Sequence, residues 1–382
     1  MRLAVLAHSL RFGGGLAVGQ GILRQLPRVA PELTLLAVVP DGVGYEEIVE
    51  AQPSTEAVVY RRRYGAAGRF AYDELVLPGR VRRFRPHAIL ALNGRGLSRP
   101  PAPQVLFPQS AYLFYPRRHY GTIPWWRTLG ERAKRRDLRR QLARCALALA
   151  QTRVVAARLR DVLGYRGPTV VCGSAVGREL VAGAPQAPPE PFASAPSSLK
   201  LFYPATYTPH KNLERVLDAY ALAGGALAGV TLVTTVDPAQ HPLAGRFLAR
   251  LARERGRHGI VNVGELSRDR LAAFYAHSDA LLMPSLIETA GLPYLEAMHF
   301  GKPILTSDLD FAREVCGDAA AYFDPFDVRS LMTAMLRFRD DAALRARLAE
   351  ASARRGHLRL TSWDDVTRVI VEAVRGVASP AA

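Results

Sequence analysis

Short apolar runs alternate with longer amphipathic stretches along most of the chain. In the first half Leu3–Ala7, Leu33–Val39, Ala88–Leu92, Gln104–Phe107, Ala146–Ala150 and Thr169–Val171 are too short for core helices and read as buried strands. A turn at Gly13-Gly14-Gly15 follows the first of them, and helical stretches lie between most of the others. The alternation restarts after residue 200. Strands are expected at Leu201–Tyr203, Val230–Val233, Ile260–Val263, Ala280–Met283 and Pro303–Thr306, with helices near 211–223, 242–256, 267–277, 291–300 and 327–339. In the helix at 267, Ser267 suits the cap, Asp269 suits the positive first turn, and Leu271, Phe274 and Tyr275 share one face. Strand–helix alternation of this kind predicts parallel sheets covered by helices on both faces. The proline-rich stretch 183–198 (GAPQAPPEPFASAPSS) breaks the pattern and reads as a linker. The expectation is an α/β chain of two Rossmann-like, doubly wound domains facing across a cleft. The first spans 1–180 and is joined by a C-terminal helix at 361–378. A linker at 181–199 precedes the second domain at 200–360.

Composition narrows the class. The 382 residues suit two domains, and a hydrophobic fraction of 49% excludes a disordered chain. Cys145, Cys172 and Cys316 are too few and too scattered for a disulfide framework or a metal cluster, which fits a reducing cytoplasmic setting. The first residues carry no cleavage-site pattern, so no signal peptide is expected. The longest uncharged stretch, between Asp218 and Asp237, is split by Gly224, Gly225 and Gly229 and reads as helix, turn and strand, not a membrane span.

Charge divides the chain. The formal net charge is +17. Residues 1–180 hold 29 basic and 12 acidic side chains, 29 − 12 = +17, so the remaining residues sum to zero. A protein that coats nucleic acid with a uniform basic surface is excluded, and the two halves are expected to face different partners.

The chemistry concentrates in residues 283–307. A strand ends near Met283, a loop carries Glu288, Thr289, Ala290 and Gly291, and a helix begins around Gly291–Pro293, where proline suits the first turn. Bare amides of Ala290, Gly291 and Leu292 at that helix start can cradle a diphosphate, and Gly291 lets a ligand approach closely. Glu296, one turn inside the helix, can accept two ribose hydroxyls, while Glu288 can address a sugar beyond the phosphates. The Gly301-Lys302-Pro303-Ile304-Leu305 run then caps the helix and starts the next strand.

This pattern resembles the GT-B glycosyltransferases of the large retaining family 4, with their Glu-x7-Glu signature followed by a small-basic-Pro-apolar strand. Tyr203 to Asn212, Val263-Gly264-Glu265-Leu266 and Tyr322-Phe323-Asp324-Pro325 extend the resemblance, which is strongest from 200 to 325. It implies sugar transfer from a nucleotide diphosphate donor bound by the second domain, retention at the anomeric carbon, and no cofactor or obligatory metal. An acceptor, either a saccharide or a lipid-linked saccharide of surface polysaccharide synthesis, would lie on the first domain.

Lys211 is one of four lysines in an arginine-dominated chain, and it is expected to reach the donor phosphates. Ala205 stands where many family members have Arg, so His210 is expected to help or the charge stabilisation is weaker. Gly14 and Gly15 occupy the loop that covers the donor phosphates in the family. Gln109 takes a position near the sugar that is often His, which makes it a hydrogen-bonding group. His8 at the first strand's end is a weaker candidate, and His119 reads as a surface loop.

Trp125–Arg144 holds eight basic and two acidic residues. Trp125, Trp126, Arg132, Lys134, Arg135, Arg136, Arg139 and Arg140 suit an anionic membrane interface on the inner face. The competing reading is a solvated helix with Leu129, Ala133, Leu138 and Leu142 turned to the core. Arg61-Arg62-Arg63 and Arg80, Arg82, Arg83 and Arg85 add basic clusters. No nucleic-acid motif is present. The alternative to an enzyme is a non-catalytic GT-B descendant that binds a nucleotide or glycan at a membrane.

Overall fold

The computed structural model of the chain describes residues 1–61, 65–92, 94–121, 125–177, 180, 187–254, 259–359 and 362–378. They form two compact units. The first combines Met1–Phe114, Trp126–Ala175 and Thr361–Ala382, and the second combines Tyr115–Trp125 with Val176–Leu360.

The first unit is built on a parallel sheet of β1 (Arg2–Leu6), β2 (Thr34–Pro40), β3 (Thr55–Tyr60), β4 (Ala88–Ala91), β5 (Gln104–Leu106), β6 (Leu147–Ala150) and β7 (Thr169–Val171), in the order β3-β2-β1-β4-β5-β6-β7. The central strands are buried on both faces, as their unbroken apolar runs require. The pattern above omits β3, whose TEAVVY sequence begins polar and half exposed. Gly13-Gly14-Gly15 is no separate turn. It forms the first turn of the helix Gly13–Val29, whose extended cap residue Phe12 supplies no side-chain bond. The helix Trp363–Val377 closes this unit. Ser362 and Asp365 form a capping box at its start, and Trp363, Ile370, Val371 and Val374 enter the core beside Ile22 and Leu26. Gly21 is needed there, because a Cβ would stand 2.6 Å from the Trp363 ring.

The second unit carries β8 (Leu199–Tyr203), β9 (Val230–Thr234), β10 (Ile260–Asn262), β11 (Ala280–Met283), β12 (Ile304–Ser307) and β13 (Ala320–Phe323), also all parallel, in the order β10-β9-β8-β11-β12-β13. The strand order reverses between β8 and β11. That switch point opens a crevice beyond the carboxyl ends of the two strands, the usual ligand position in such sheets. The alanine-rich β13 is a second strand that the pattern omits. Ser267 has extended cap geometry but makes no side-chain cap bond.

The proline-rich stretch is not a free linker. Residues 187–198 pack with the second unit, where the Phe192 ring is buried against Phe274 at 5.4 Å. Residues 181–186 lie outside the described residues.

Candidate functional site

Two loops of the second unit meet at its switch point. After β8 the chain makes a short turn at Pro209–Lys211, Asn212 adopts φ +59°, and the helix Leu213–Ala223 begins. After β11 it passes through Ser285–Gly291 into the helix Leu292–His299. Buried groups stitch the loops together. The Tyr203 hydroxyl lies 2.9 Å from Ser285 Oγ and donates to the Lys211 carbonyl at 3.0 Å, and the Leu286 amide donates to the His210 carbonyl at 2.8 Å. Lys211 is thereby aimed across the crevice, and its Nζ donates to Glu288 Oε1 at 2.6 Å. Both side chains keep partial exposure, at 15% and 13%.

The helix Leu292–His299 starts with no side-chain cap; Pro293 has no N–H and the Tyr294 amide donates to the Gly291 carbonyl at 2.8 Å, so it is the Leu292 amide, with those of Ala290 and Gly291 before it, that is left to solvent or a ligand. Gly291 has φ +65°, and a Cβ there would meet the Tyr294 ring at 2.6 Å. The glycine is thus fixed first by backbone conformation and by Tyr294, and close ligand approach is a secondary reason. The Tyr294 hydroxyl in turn lies 2.7 Å from Thr306 Oγ1 on β12. Thr289 and Ala290 lie in the same loop, and Leu292 opens the helix.

Glu296 sits on the next turn of this helix and is only 6% exposed. Tyr275 donates its hydroxyl to Glu296 Oε2 at 2.7 Å, and Arg268 Nη1 stands 3.8 Å from Oε1. Burial raises the carboxyl pKa above its usual value, against the opposing pull of the Tyr275 bond and Arg268. His210 departs from its expected role as a cation. Burial, reinforced by the Lys211 and His241 charges, holds its pKa well below the usual imidazole value, so near neutral pH it offers hydrogen bonds without charge. Ala205 is buried, with its amide bonded to Thr235 Oγ1 at 3.0 Å, and Lys211 is the cation that the loop after β8 brings to the crevice.

Gly14, Gly15 and Gln109 belong to the first unit. Gln109 Nε2 donates to the Leu92 carbonyl at 2.7 Å just beyond β4, and a Cβ on Gly15 would lie 3.9 Å from Gln109 Oε1, which places the two side by side. His8 does not face an open site. It is 2% exposed, with Nε2 2.7 Å from Asp73 Oδ1. Asp73 is also bound by Arg95, which reaches Glu74 and Asp137 as well. Sequence reasoning missed this buried network. Its one signal was an Asp at the head of the inward stripe Asp73, Leu77, Val81 and Phe84. His119 is not in a surface loop either. It is buried within the second unit, 5.4 Å from the Phe326 ring and 5.8 Å from Tyr115.

In the helix Trp125–Leu142, Leu138 and Leu142 are buried, but Leu129 and Ala133 are exposed, contrary to the core-facing expectation. Arg135 donates to the Tyr112 carbonyl, Arg139 to the Val162 carbonyl, and Lys134 pairs with Glu131, while Arg132, Arg136 and Arg140 stay exposed. The side chains of Trp125 and Trp126, and residues Arg62 and Arg63, lie outside the described residues. Among the described residues no cluster of His, Cys, Asp or Glu has the makings of a metal site, and no helix is long and apolar enough to cross a membrane.

Two parallel sheets of Rossmann strand order, the second with Lys211 and a helix start without a side-chain cap at its switch point, make up the GT-B fold. Solved structures share this fold over nearly the whole chain. The Anabaena HepE structure in complex with UDP and glucose superposes with a TM-score of 0.72, covering 98% of this chain and 100% of that one at 14% identity. WaaG, a glycosyltransferase involved in lipopolysaccharide biosynthesis, gives 0.70 with the same coverages at 15% identity. Residues 189–355 match the family Glycosyl transferases group 1. The serotype-specific mannosyltransferase WbdA of Escherichia coli is 33% identical over 174 residues, 44% of this chain and 20% of that protein. The O-antigen chain mannosyltransferase B of Escherichia coli is 28% identical over 184 residues, 45% of each chain. The match thus spans a fifth to under a half of these relatives' lengths. Residues 189–355 thus carry a Glycosyl transferases group 1 domain, and the chain has the GT-B fold.

Proposed function

We propose that the chain is a retaining glycosyltransferase that moves a sugar from a nucleotide diphosphate donor to a saccharide or lipid-linked acceptor in cell-surface polysaccharide synthesis. The observation that carries this is the Lys211–Glu288 pair at 2.6 Å beside the uncapped start of the helix Leu292–His299. A donor diphosphate at that helix start gains the amides of Ala290, Gly291 and Leu292 and the Lys211 ammonium together. Glu288, displaced from Lys211 by the phosphates, is then free to hold the sugar. Glu296 takes the ribose hydroxyls, with its carboxylate already oriented by Tyr275.

On the first unit, Gly14 and Gly15 offer amides at a second helix start, with Gln109 beside them as a hydrogen-bonding group. Gln109 cannot act as a base, and His8 is tied to Asp73 in the interior. This supports a front-face route in which the leaving diphosphate accepts the acceptor's proton and the protein stabilises developing phosphate charge. Lys211 and the helix amides are assigned that work, with no obligatory metal or cofactor. The relatives are named for mannose transfer and O-antigen chains, which supports a surface-polysaccharide acceptor at the inner membrane face.

Lys211→Ala and Glu296→Gln should each lower transfer by about 10²–10³ fold while the fold survives, as measured by initial rates and circular dichroism. Near-normal turnover in both variants would overturn the site. A panel of UDP-, GDP- and dTDP-sugars read by thermal shift identifies the donor, because a donor that binds the folded chain raises its melting point. No shift from any of them would favour a non-catalytic binding protein.

A further inference from the structure

The segment Tyr115–Trp125 belongs to the second unit, although the chain on both sides of it, Met1–Phe114 and Trp126–Ala175, belongs to the first. Tyr115, His119 and Tyr120 are buried. The Tyr115 hydroxyl donates to Asp310 Oδ1 at 3.0 Å, and its ring meets Phe311 edge-on at 6.1 Å. A short turn at Arg117–His119 sets the His119 ring 5.4 Å from Phe326. These anchors fix the place of the residue that follows them, Gly121.

Gly121 lies against the turn that carries Lys211. Its φ is +71°, and a Cβ there would overlap the Pro209 carbonyl, standing 2.5 Å from the carbonyl carbon. That neighbour is backbone, which has no rotamer to swing away. The same Pro209 oxygen closes the turn by accepting the Asn212 amide at 3.2 Å. The next two carbonyls are occupied as well. His210 accepts from the Leu286 amide, and Lys211 accepts from the Tyr203 hydroxyl. Asn212 Nδ2 donates to the Pro325 carbonyl at 3.0 Å, one residue before the Phe326 ring that His119 meets. The turn is thus held by β8, by the loop after β11 and, at its first residue, by Gly121.

We propose that Gly121 is a positioning residue for Lys211. With no side chain at 121, the Pro209 carbonyl settles where the turn closes, and that closure aims the Lys211 ammonium at the phosphates of a donor. A Cβ at 121 pushes the carbonyl away, opens its bond to Asn212 and moves Lys211, two residues on. The Lys211–Glu288 pair at 2.6 Å leaves little room for such a shift. A misplacement of about 1 Å at a binding group can cost about 10² fold in rate. Glycine is required here both by the left-handed φ and by the close backbone approach. The inference rests on the proposed donor site for its consequence in catalysis, while the clamp on Lys211 is a property of the second unit itself.

The test uses G121N in the full chain, because Asn accepts a left-handed φ better than most residues and so adds the Cβ with least backbone strain. G224N is the control. Gly224 also has a positive φ, +54°, in the same unit, but a Cβ there meets nothing within 4 Å. Lys211 is one of four lysines, so its acetylation by limiting acetic anhydride can be followed by peptide mass spectrometry against Lys134. G121N should raise the relative rate at Lys211 at least threefold, and G224N should change it less than twofold. Titration calorimetry with UDP, GDP and dTDP gives the second readout. G121N should weaken the tightest of the three at least tenfold. In a K211A background the same substitution should weaken it less than threefold, because residues that act through one group are not additive. A merely structural loss would persist there in full. Y115F loosens the segment without adding an atom and should shift both readouts the same way by two- to fivefold, which keeps the test alive if G121N does not fold. Unchanged acetylation of Lys211 in G121N, or in Y115F where G121N is unfolded, would overturn the proposal. So would a tenfold loss of affinity that survives in the K211A background. Nucleotide binding with an unmoved Lys211 sinks this inference alone, and a moved Lys211 in a chain that binds none of the three nucleotides sinks the donor reading alone.

Discussion

Glu296 carries two opposed demands. A carboxylate suits ribose hydroxyls, but this one is buried, and burial raises its pKa. The consequence for stability has a definite sign. Because the folded value lies above the unfolded one, the cost is absent below the unfolded carboxylate pKa, about 4.3, and grows as pH rises through the folded value. Glu296→Gln keeps an acceptor for Tyr275 and removes the charge. It should therefore melt at or above wild type near neutral pH, with the gap closing by about pH 4, while donor binding falls. Melting curves across pH check this, and a variant that melts clearly below wild type at neutral pH contradicts it. Donor affinity of the wild type should weaken as pH falls through the raised Glu296 pKa. Tyr275→Phe removes a bond that lowers that pKa, so its acid limb should move to higher pH. Titration of donor binding against pH shows whether the limb moves.

At the scale of elements, the site depends on how the helix Leu292–His299 is entered. Gly291 takes a left-handed φ of +65° with the Tyr294 ring behind it. Gly291→Ala should cost about 1–2 kcal/mol from backbone conformation alone and more from displacing Tyr294, as read by urea denaturation. A cost below that range would mean that the turn relaxes freely. This junction was legible in the sequence because a strand end, a Gly-x-Pro entry and two glutamates eight residues apart agreed on one geometry. The central strands were equally legible, since burial on both faces leaves unbroken apolar runs. Elements whose stability comes from distant partners were not. The strand β3 starts with exposed polar residues, β13 is four residues long and half alanine, and Phe192 anchors a stretch whose prolines suggested only a linker. His8 and Asp73 are 65 residues apart, and a pairing between two elements leaves no local periodicity for either residue to reveal. The charge state of His210 escaped for a similar reason, because burial sets it and burial comes from the assembled loops.

The whole molecule is a pair of sheets whose chain segments do not simply follow one another. The last helix, Trp363–Val377, returns to the first unit and supplies Trp363, Ile370, Val371 and Val374 to the core beneath β1 and β4. The crevice at the β8–β11 switch point, by contrast, belongs to the second unit. The basic surplus of residues 1–180 follows the same division, so the proposed donor anion would meet local groups such as Lys211 in an electrically balanced half. This arrangement predicts separable stabilities. Trp363→Ala opens a cavity against Gly21 and should cost the first unit about 3–5 kcal/mol, lowering its transition by roughly 6–20 °C. A nucleoside diphosphate at saturating concentration should raise the second unit's transition instead. Differential scanning calorimetry of the wild type and of Trp363→Ala, each with and without nucleotide, reads both effects. Two transitions, one moved by the substitution and the other by the ligand, fit two units that melt on their own. A single transition moved by both would mean that the units unfold as one cooperative body, and the division of labour between them would then be chemical without being energetic.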